Sequence, residues 1–303
     1  MHVNIAYIKF ILALIIYGSN GIYVTQIGLP SAQMVFLRTV LGFGVLFIIF
    51  LALRKKFTFH KKPKDFIFLA LSGLSLGFAW LSLFVAYLEG GICFGTLAYY
   101  CGPVIIMVLT PFIFKERLTV ARVVGFVVAL IGVALFNGQA FFSGVAPIGV
   151  FTGALSAIFA ASMIMLNKKA AKIDGMENPV IQLFFAMVAA TIFILVTGQT
   201  DIQMTQSDIL PMVLLGVVNT GLTGYLYFSS ITKLPAQTVA TVGYLEPLAA
   251  VVISAIVIGE SLLPLEWIGG FCIIAGAVFA EGVGMYREHK ALKELDLFKR
   301  NNG

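Results

Sequence analysis

The chain has 303 residues, 60% of them hydrophobic and 11% charged, with a mean hydropathy of +1.00. Soluble domains carry about twice that charged fraction, so an ordinary soluble enzyme or binding module is excluded. A net charge of +6 would suit nucleic acid or another anionic partner, but the placement of the charge along the chain points elsewhere.

Crossing a ~30 Å hydrocarbon core takes about 20 mostly apolar residues. On that measure the chain reads as all-α and integral to the membrane, with ten transmembrane helices at 5–27, 31–53, 66–88, 92–114, 120–137, 147–166, 179–197, 209–231, 237–258 and 265–284. Turn chemistry separates them at Gly28-Leu29-Pro30, Lys62-Pro63, Glu89-Gly90-Gly91, Asn137-Gly138, Gly175 to Pro179 and Leu234-Pro235. Lys9 precedes the first apolar run and no small-residue cleavage pattern follows it, so a retained first helix is expected. With the N-terminus inside, every one of the 20 Lys and Arg residues except Arg38 falls in an inner loop, at an inner helix end or in the tail. The outer loops, near 28–30, 89–91, 138–146, 198–208 and 259–264, hold none. Cytoplasmic loops are the ones enriched in Lys and Arg, so both termini are expected in the cytoplasm, in a multi-pass plasma or inner membrane protein. The charge marks topology, and no nucleic-acid partner is expected.

Within this series one stretch occurs twice. Tyr100, Pro103, Glu116 and Leu118 fall on Tyr244, Pro247, Glu260 and Leu262 at an offset of 144 with no gap. The same offset pairs Gly77 with Gly221, Phe84 with Phe228, Gly125 with Gly269 and Gly132 with Gly276. Internal repeats inside apolar sequence are the pattern of many secondary transporters. The repeats divide the chain into 1–142 (helices one to five), 143–286 (helices six to ten) and a polar cytoplasmic tail, 287–303. Five helices per copy is odd, so the second copy inserts upside down on the first. The expected architecture is two inverted five-helix repeats with a site between them near mid-membrane.

Candidate site residues follow from depth. Tyr99, Tyr100 and Tyr244 lie about 10–12 Å inside their helix entrances. Pro103 and Pro247 each remove a helix hydrogen bond, to the carbonyls of Tyr99 and Gly243. Free carbonyls are tolerated at that depth only against protein or a water-filled cavity, so kinked pocket walls are expected. Glu246 is the acid nearest the membrane centre, where a charged carboxylate costs on the order of 2.5–3.5 kcal/mol. It therefore needs a partner, or a proton that it takes up and releases, which is what proton coupling requires. Arg38, in helix two, could attract an anionic substrate group or pair with Glu246; outward snorkelling is the plainer alternative. Its position repeats at Gln182. Tyr17 and Asn20 share a face of helix one, Trp80, Phe84 and Tyr87 form an aromatic stripe on helix three, and Asn219 is a polar position in helix eight. Packing explains the stripe and Asn219 equally well. Glu116 and Glu260 precede the fifth and tenth helices, whose dipoles would hold them, and Thr119 can cap the fifth. The small residues Ala121, Gly125, Ala129, Gly132, Gly269, Gly270 and Gly276 read as close helix contacts.

These residues resemble a known family. Tyr17-Gly18-Ser19-Asn20, Phe36-Leu37-Arg38, Gly102-Pro103 followed by Lys115-Glu116-Arg117-Leu118-Thr119, and Leu245-Glu246-Pro247 followed by Gly259-Glu260-Ser261-Leu262 are similar to the EamA-type repeats of the drug/metabolite transporter superfamily. The resemblance covers nearly the whole chain. It implies ten helices around a central cavity, alternating access, and export of amino acids or other small metabolites. Tyr17 departs from the tryptophan common in relatives, and helix six lacks a clear Gly-Ser-Asn counterpart.

The expected partners are a small-molecule substrate, the bilayer and, through Glu246, a proton. No cofactor and no metal are expected: Cys93, Cys101 and Cys272 lie singly in apolar runs, and His2, His60 and His289 stand at or beyond the cytoplasmic ends. No GxxxxGK[ST] sequence is present to bind nucleotide phosphates. A passive facilitator or channel, and a membrane-embedded enzyme, stay open as alternatives to a coupled carrier. Substrate identity, direction, coupling ion and oligomeric state are left open by the sequence.

Overall fold

The computed structural model describes residues 2–136, 147–173, 175–258, 264–265, 267–280 and 282. Lipid offers the backbone no hydrogen bonds, so an apolar chain satisfies itself by helix, and no strand occurs among the described residues. In the first half, α1 spans His2–Gly18, α2 Asn20–Val24, α3 Ser31–Ala52, α4 Pro63–Tyr99, α5 Gly102–Phe114 and α6 Val120–Phe136. In the second, α7 spans Pro147–Lys169, α8 Glu177–Thr197 and α9 Gln206–Val213. A π-helical segment, Leu214–Leu222, joins α9 to α10, Thr223–Ile231. α11 is Ala236–Val242, α12 Leu245–Ile258 and α13 Trp267–Ala280. Among the described residues six stretches are long and apolar enough to span a membrane: Ile5–Val24, Ser31–Ala52, Pro63–Glu89, Pro147–Lys169, Glu177–Thr197 and Gln206–Ile231. Gly102–Phe114, Val120–Leu135 and Trp267–Ala280 are apolar but shorter.

Several expected helices are subdivided. The expected boundary between helices 66–88 and 92–114 is a place where the chain doubles back, although helical backbone continues across Glu89-Gly90-Gly91 within α4, and a further interruption falls at Tyr100-Cys101. A Cβ built on Gly95 would stand 3.3 Å from the Tyr87 nitrogen, whereas eight residues of straight helix rise about 12 Å. The chain therefore reverses between Tyr87 and Gly95, a fold the two intervening glycines permit. The expected helix 237–258 is broken at Gly243-Tyr244, and helix one is broken at Ser19. Pro103 and Pro247 stand in the first turns of α5 and α12, where no amide donor is needed. They follow a break rather than kink a continuous helix. The expected turn at Asn137-Gly138, Glu260 with its neighbours, and the tail from Arg287 lie outside the described residues.

The halves meet through backbone contacts that only small residues allow. A Cβ on Gly125 would lie 2.4 Å from the Gly276 carbonyl oxygen, and one on Gly132 would lie 2.6 Å from that of Gly269. At the offset of 144 these are one contact with the halves exchanged. Likewise Gly77 abuts Ala186, and Gly221 abuts Gly42, which is the position of Ala186 in the first copy. Contacts that interchange in this way are what a two-fold axis between repeats produces.

The loops gather at two ends. At one, the Glu177 carboxylate accepts from the amides of Thr58 (2.7 Å) and Phe59 (2.8 Å), and Asp65 accepts from that of Lys172 (3.3 Å). Lys168 donates to the Leu234 carbonyl there, and Glu116 accepts from the Ala236 amide at 2.9 Å. These bonds bring the basic loops together. At the other end Asp208 accepts from the Gly28 amide (3.0 Å), and the Gln33 amide donates to the carbonyls of Gln199 (3.2 Å) and Asp201 (2.9 Å).

Candidate functional site

At the helix breaks side chains bond to backbone carbonyls, and these side chains frame the site. Beside the break at Ser19, the Ile16 carbonyl accepts from the Asn219 amide at 2.8 Å as well as from the Ser19 amide (3.0 Å) and hydroxyl (2.6 Å). Gly18 sets the neighbouring contact: a Cβ there would meet the Ala250 nitrogen at 2.7 Å, so α1 lies directly on α12. Near the second break, the Tyr244 hydroxyl donates to the Tyr100 carbonyl at 3.3 Å, joining a residue to its own repeat partner.

Between these breaks lies a cavity of about 550 Å³. Seven of the nine residues singled out from sequence line it: Tyr17, Asn20, Arg38, Trp80, Tyr99, Tyr100 and Glu246. It extends to Thr25, Ser31 and Leu88, at the end opposite the basic loops. Asn219 and Tyr244 are not in the lining. Both are fully buried behind it, Asn219 bridging α1 and Arg38, and Tyr244 packed on Phe126 at 5.6 Å between ring centres.

Arg38 forms one pole. It is 3% exposed; its Nε donates to Thr220 Oγ1 at 2.9 Å, its Nη2 to Asn219 Oδ1 at 3.5 Å, and its guanidinium stacks over Trp80 at 4.3 Å. The π-helical turn supplies this cradle. Its wider ring sets Thr220 to donate back to the Leu215 carbonyl (2.8 Å) while receiving Arg38. A guanidinium carries five N–H groups, and these contacts leave others for the cavity. Glu246 forms the opposite pole, in the first turn of α12, where the helix dipole favours negative charge. The two share the cavity, but the partners of Arg38 are Thr220, Asn219 and Trp80, so the direct Arg38–Glu246 pair considered from sequence does not form.

Between the poles stand aromatic walls. Tyr99 and Tyr100 meet edge to face at 5.7 Å, and Phe84 and Tyr87 of the predicted stripe join the lining. Asn20 contributes an Oδ1 that is buried without a hydrogen-bond partner. Gln182, the repeat position of Arg38, lies elsewhere. It is fully buried and accepts from Asn167 at 3.1 Å in an amide cluster with Asn178. Each repeat thus gives the cavity one charged group, Arg38 from the first and Glu246 from the second, with no charged counterpart at the repeat position.

Sequence reasoning missed Thr220, Thr25 and Ser31. Thr220 carried no local signal, because its partner is 182 residues away. Glu116 was expected to serve the helix after it; instead it caps α11 through the Ala236 and Gln237 amides, while Thr119 does cap α6 through the Arg122 amide (3.3 Å). No group of three or more His, Cys, Asp or Glu among the described residues could hold a metal ion.

Known proteins resemble this chain along most of its length. The profile of the EamA-like transporter family matches residues 4–138 and again 147–281. An "Uncharacterized transporter YxxF" of Bacillus subtilis (strain 168) is 25% identical over 274 residues, covering 89% of this chain and 88% of its own. An "Uncharacterized transporter" of Clostridium kluyveri is 27% identical over 289 residues, covering 90% and 91%. A protein solved by crystallography superimposes with a TM-score of 0.79 over 91% of this chain and 98% of its own, at 19% identity, which speaks to fold alone.

Proposed function

The chain belongs to the EamA-like transporter family, and from that premise we propose that it is a secondary-active exporter of amino acids or other small metabolites. It works by alternating access in a plasma or inner membrane, with both termini cytoplasmic. Ten helices form two repeats, 1–142 and 143–286, the second inverted on the first, followed by the tail 287–303. Substrate sits in the central cavity, and Glu246 couples its movement to protons.

The observation that carries this reading is the pairing of poles in one cavity. Arg38 offers guanidinium N–H groups to a carboxylate, while Glu246 and the unpartnered Asn20 Oδ1 offer acceptors to an ammonium. Tyr17, Trp80, Tyr99 and Tyr100 line the space between. The reciprocal glycine contacts support two exchangeable half-molecules. The lining reaches one end of the molecule, while Glu116, Lys168 and Glu177 tie the loops at the other, as one of two alternating states requires.

The test is a metabolite screen in proteoliposomes, with and without a pH gradient. The expected result is gradient-stimulated efflux of an unmodified amino acid or similar zwitterion. Chemical conversion of a solute would instead indicate an enzyme, and flux indifferent to the gradient a passive facilitator.

A further inference from the structure

A second cavity, of about 410 Å³, adjoins the first. Ser31, Phe84 and Leu88 line both, so the two are neighbouring compartments with common wall residues. Their chemistry differs. The central compartment holds Arg38, Glu246, Asn20 and the tyrosines. Most of the side chains of the annex are apolar: Leu29, Ala32, Leu81, Val85 and Phe193, beside the shared Phe84 and Leu88, with Gln199 at the rim. Leu81, Phe84 and Ala32 belong to one packed cluster with Val35, Ala190 and Ile194, so the floor of the annex is preformed between α3, α4 and α8.

We propose that the annex is a binding subsite for an apolar tail of the transported solute. The substrate class is then an amphipathic zwitterion whose charged head lies between Arg38 and Glu246 and whose unbranched hydrocarbon side chain passes Phe84 into the annex. This rests on the exporter reading above and narrows it. The occupant is assigned from continuity. A tail that leaves the charged compartment at Ser31 and Phe84 enters a space where Leu81, Val85 and Phe193 stand beside it. A small polar solute would leave that apolar surface wetted and gain nothing from it. Burying a methylene in such a space strengthens binding about fourfold. Val85 and Phe193 face the annex and not the central cavity, which makes them specificity positions rather than anchors of the head.

The probes are the linear α-amino acids alanine, norvaline, norleucine and 2-aminooctanoate, titrated against the purified full chain. Affinity should rise by about three- to fourfold per added methylene until the annex is filled. In Val85→Trp, which fills the annex, the rise should stop at shorter tails; in Val85→Ala, which enlarges it, the rise should continue further. Alanine serves as the reference within each protein. A wild-type series in which all four bind equally overturns the annex while leaving the exporter reading standing. Equal slopes in wild type, Val85→Trp and Val85→Ala do the same. Loss of co-purified phospholipid on Val85→Trp, together with a flat series, would give the annex to a lipid acyl chain and overturn the proposal. If none of the four probes binds, the annex proposal falls; if in addition no solute of the metabolite screen is transported, the exporter reading falls with it.

Discussion

Arg38 shows how a single charge is kept in an apolar body. Its guanidinium is planar, so one face stacks on Trp80 while its edge reaches Thr220 and Asn219. Lysine has no such fork and no flat face. Arg38→Lys should therefore weaken substrate binding by roughly tenfold or more, while retaining the charge, as read by titration of the purified protein. Thr220→Val removes one hydrogen bond to a charged group, worth about 1.5–3 kcal/mol. If Arg38 is poised by Thr220, that variant should weaken binding by roughly tenfold and lower Tm by several degrees; unaltered binding would show that Trp80 and Asn219 suffice. At this scale the sequence was legible where a residue was exceptional for its depth. Arg38 and Glu246 stood out because charge in the membrane is rare, and the tyrosines because they flank the prolines. Thr220 did not, since a hydroxyl in an apolar helix reads as packing and its partner lies half a chain away. Asn219 and Tyr244 were found for the same reasons as the lining residues but bond to backbone carbonyls beside the breaks instead.

The elements were legible as apolar runs, but their interruptions were not. A hydropathy window averages across Ser19, Tyr100-Cys101 and Gly243-Tyr244, so it reports one helix where the backbone makes two. The prolines marked the neighbourhood of the second and third breaks and misplaced their nature, because Pro103 and Pro247 begin a new helix instead of bending an old one. The breaks depend on their caps. Tyr244→Phe removes the hydroxyl that satisfies the Tyr100 carbonyl at 3.3 Å. It should destabilise the folded protein by about 1–2 kcal/mol, seen as a lowered Tm in detergent. Where backbones touch, the demand is steric. Gly276→Leu would drive a side chain into the Gly125 carbonyl, only 2.4 Å from a Cβ. Yield and Tm should fall sharply, by several degrees at least, whereas Gly21→Ala, with nothing within 4 Å of its Cβ, should leave Tm unchanged. Comparable losses in both would remove the close-packing account of α6 and α13.

Across the whole molecule, the offset of 144 read from sequence reappears as reciprocal contacts: Gly125 with Gly276, Gly132 with Gly269, Gly77 with Ala186 and Gly221 with Gly42. Repeat and charge placement were legible because both are written along the entire chain. Which repeat would carry the charged groups was legible only residue by residue, since Gln182 and Gly102 occupy the positions of Arg38 and Glu246 without their charge. The proposed orientation predicts that Gln203→Cys, on a background without native cysteines, reacts with an impermeant thiol reagent added to intact cells. Lys61→Cys should react only after permeabilisation; the reverse pattern would invert the molecule.

Coupling is a property of the whole molecule, because one carboxyl must be offered to both sides in turn. Glu246→Gln keeps the shape of the side chain and removes its ionisation. The decisive measurement compares pH-gradient-driven accumulation with equilibrium exchange of the same solute in proteoliposomes, for wild type and Glu246→Gln. Proton coupling at Glu246 predicts that the variant loses accumulation by at least tenfold while exchange continues at higher solute concentration, because the amide oxygen of the variant still accepts from an ammonium. Accumulation by Glu246→Gln that still follows the pH gradient would contradict it.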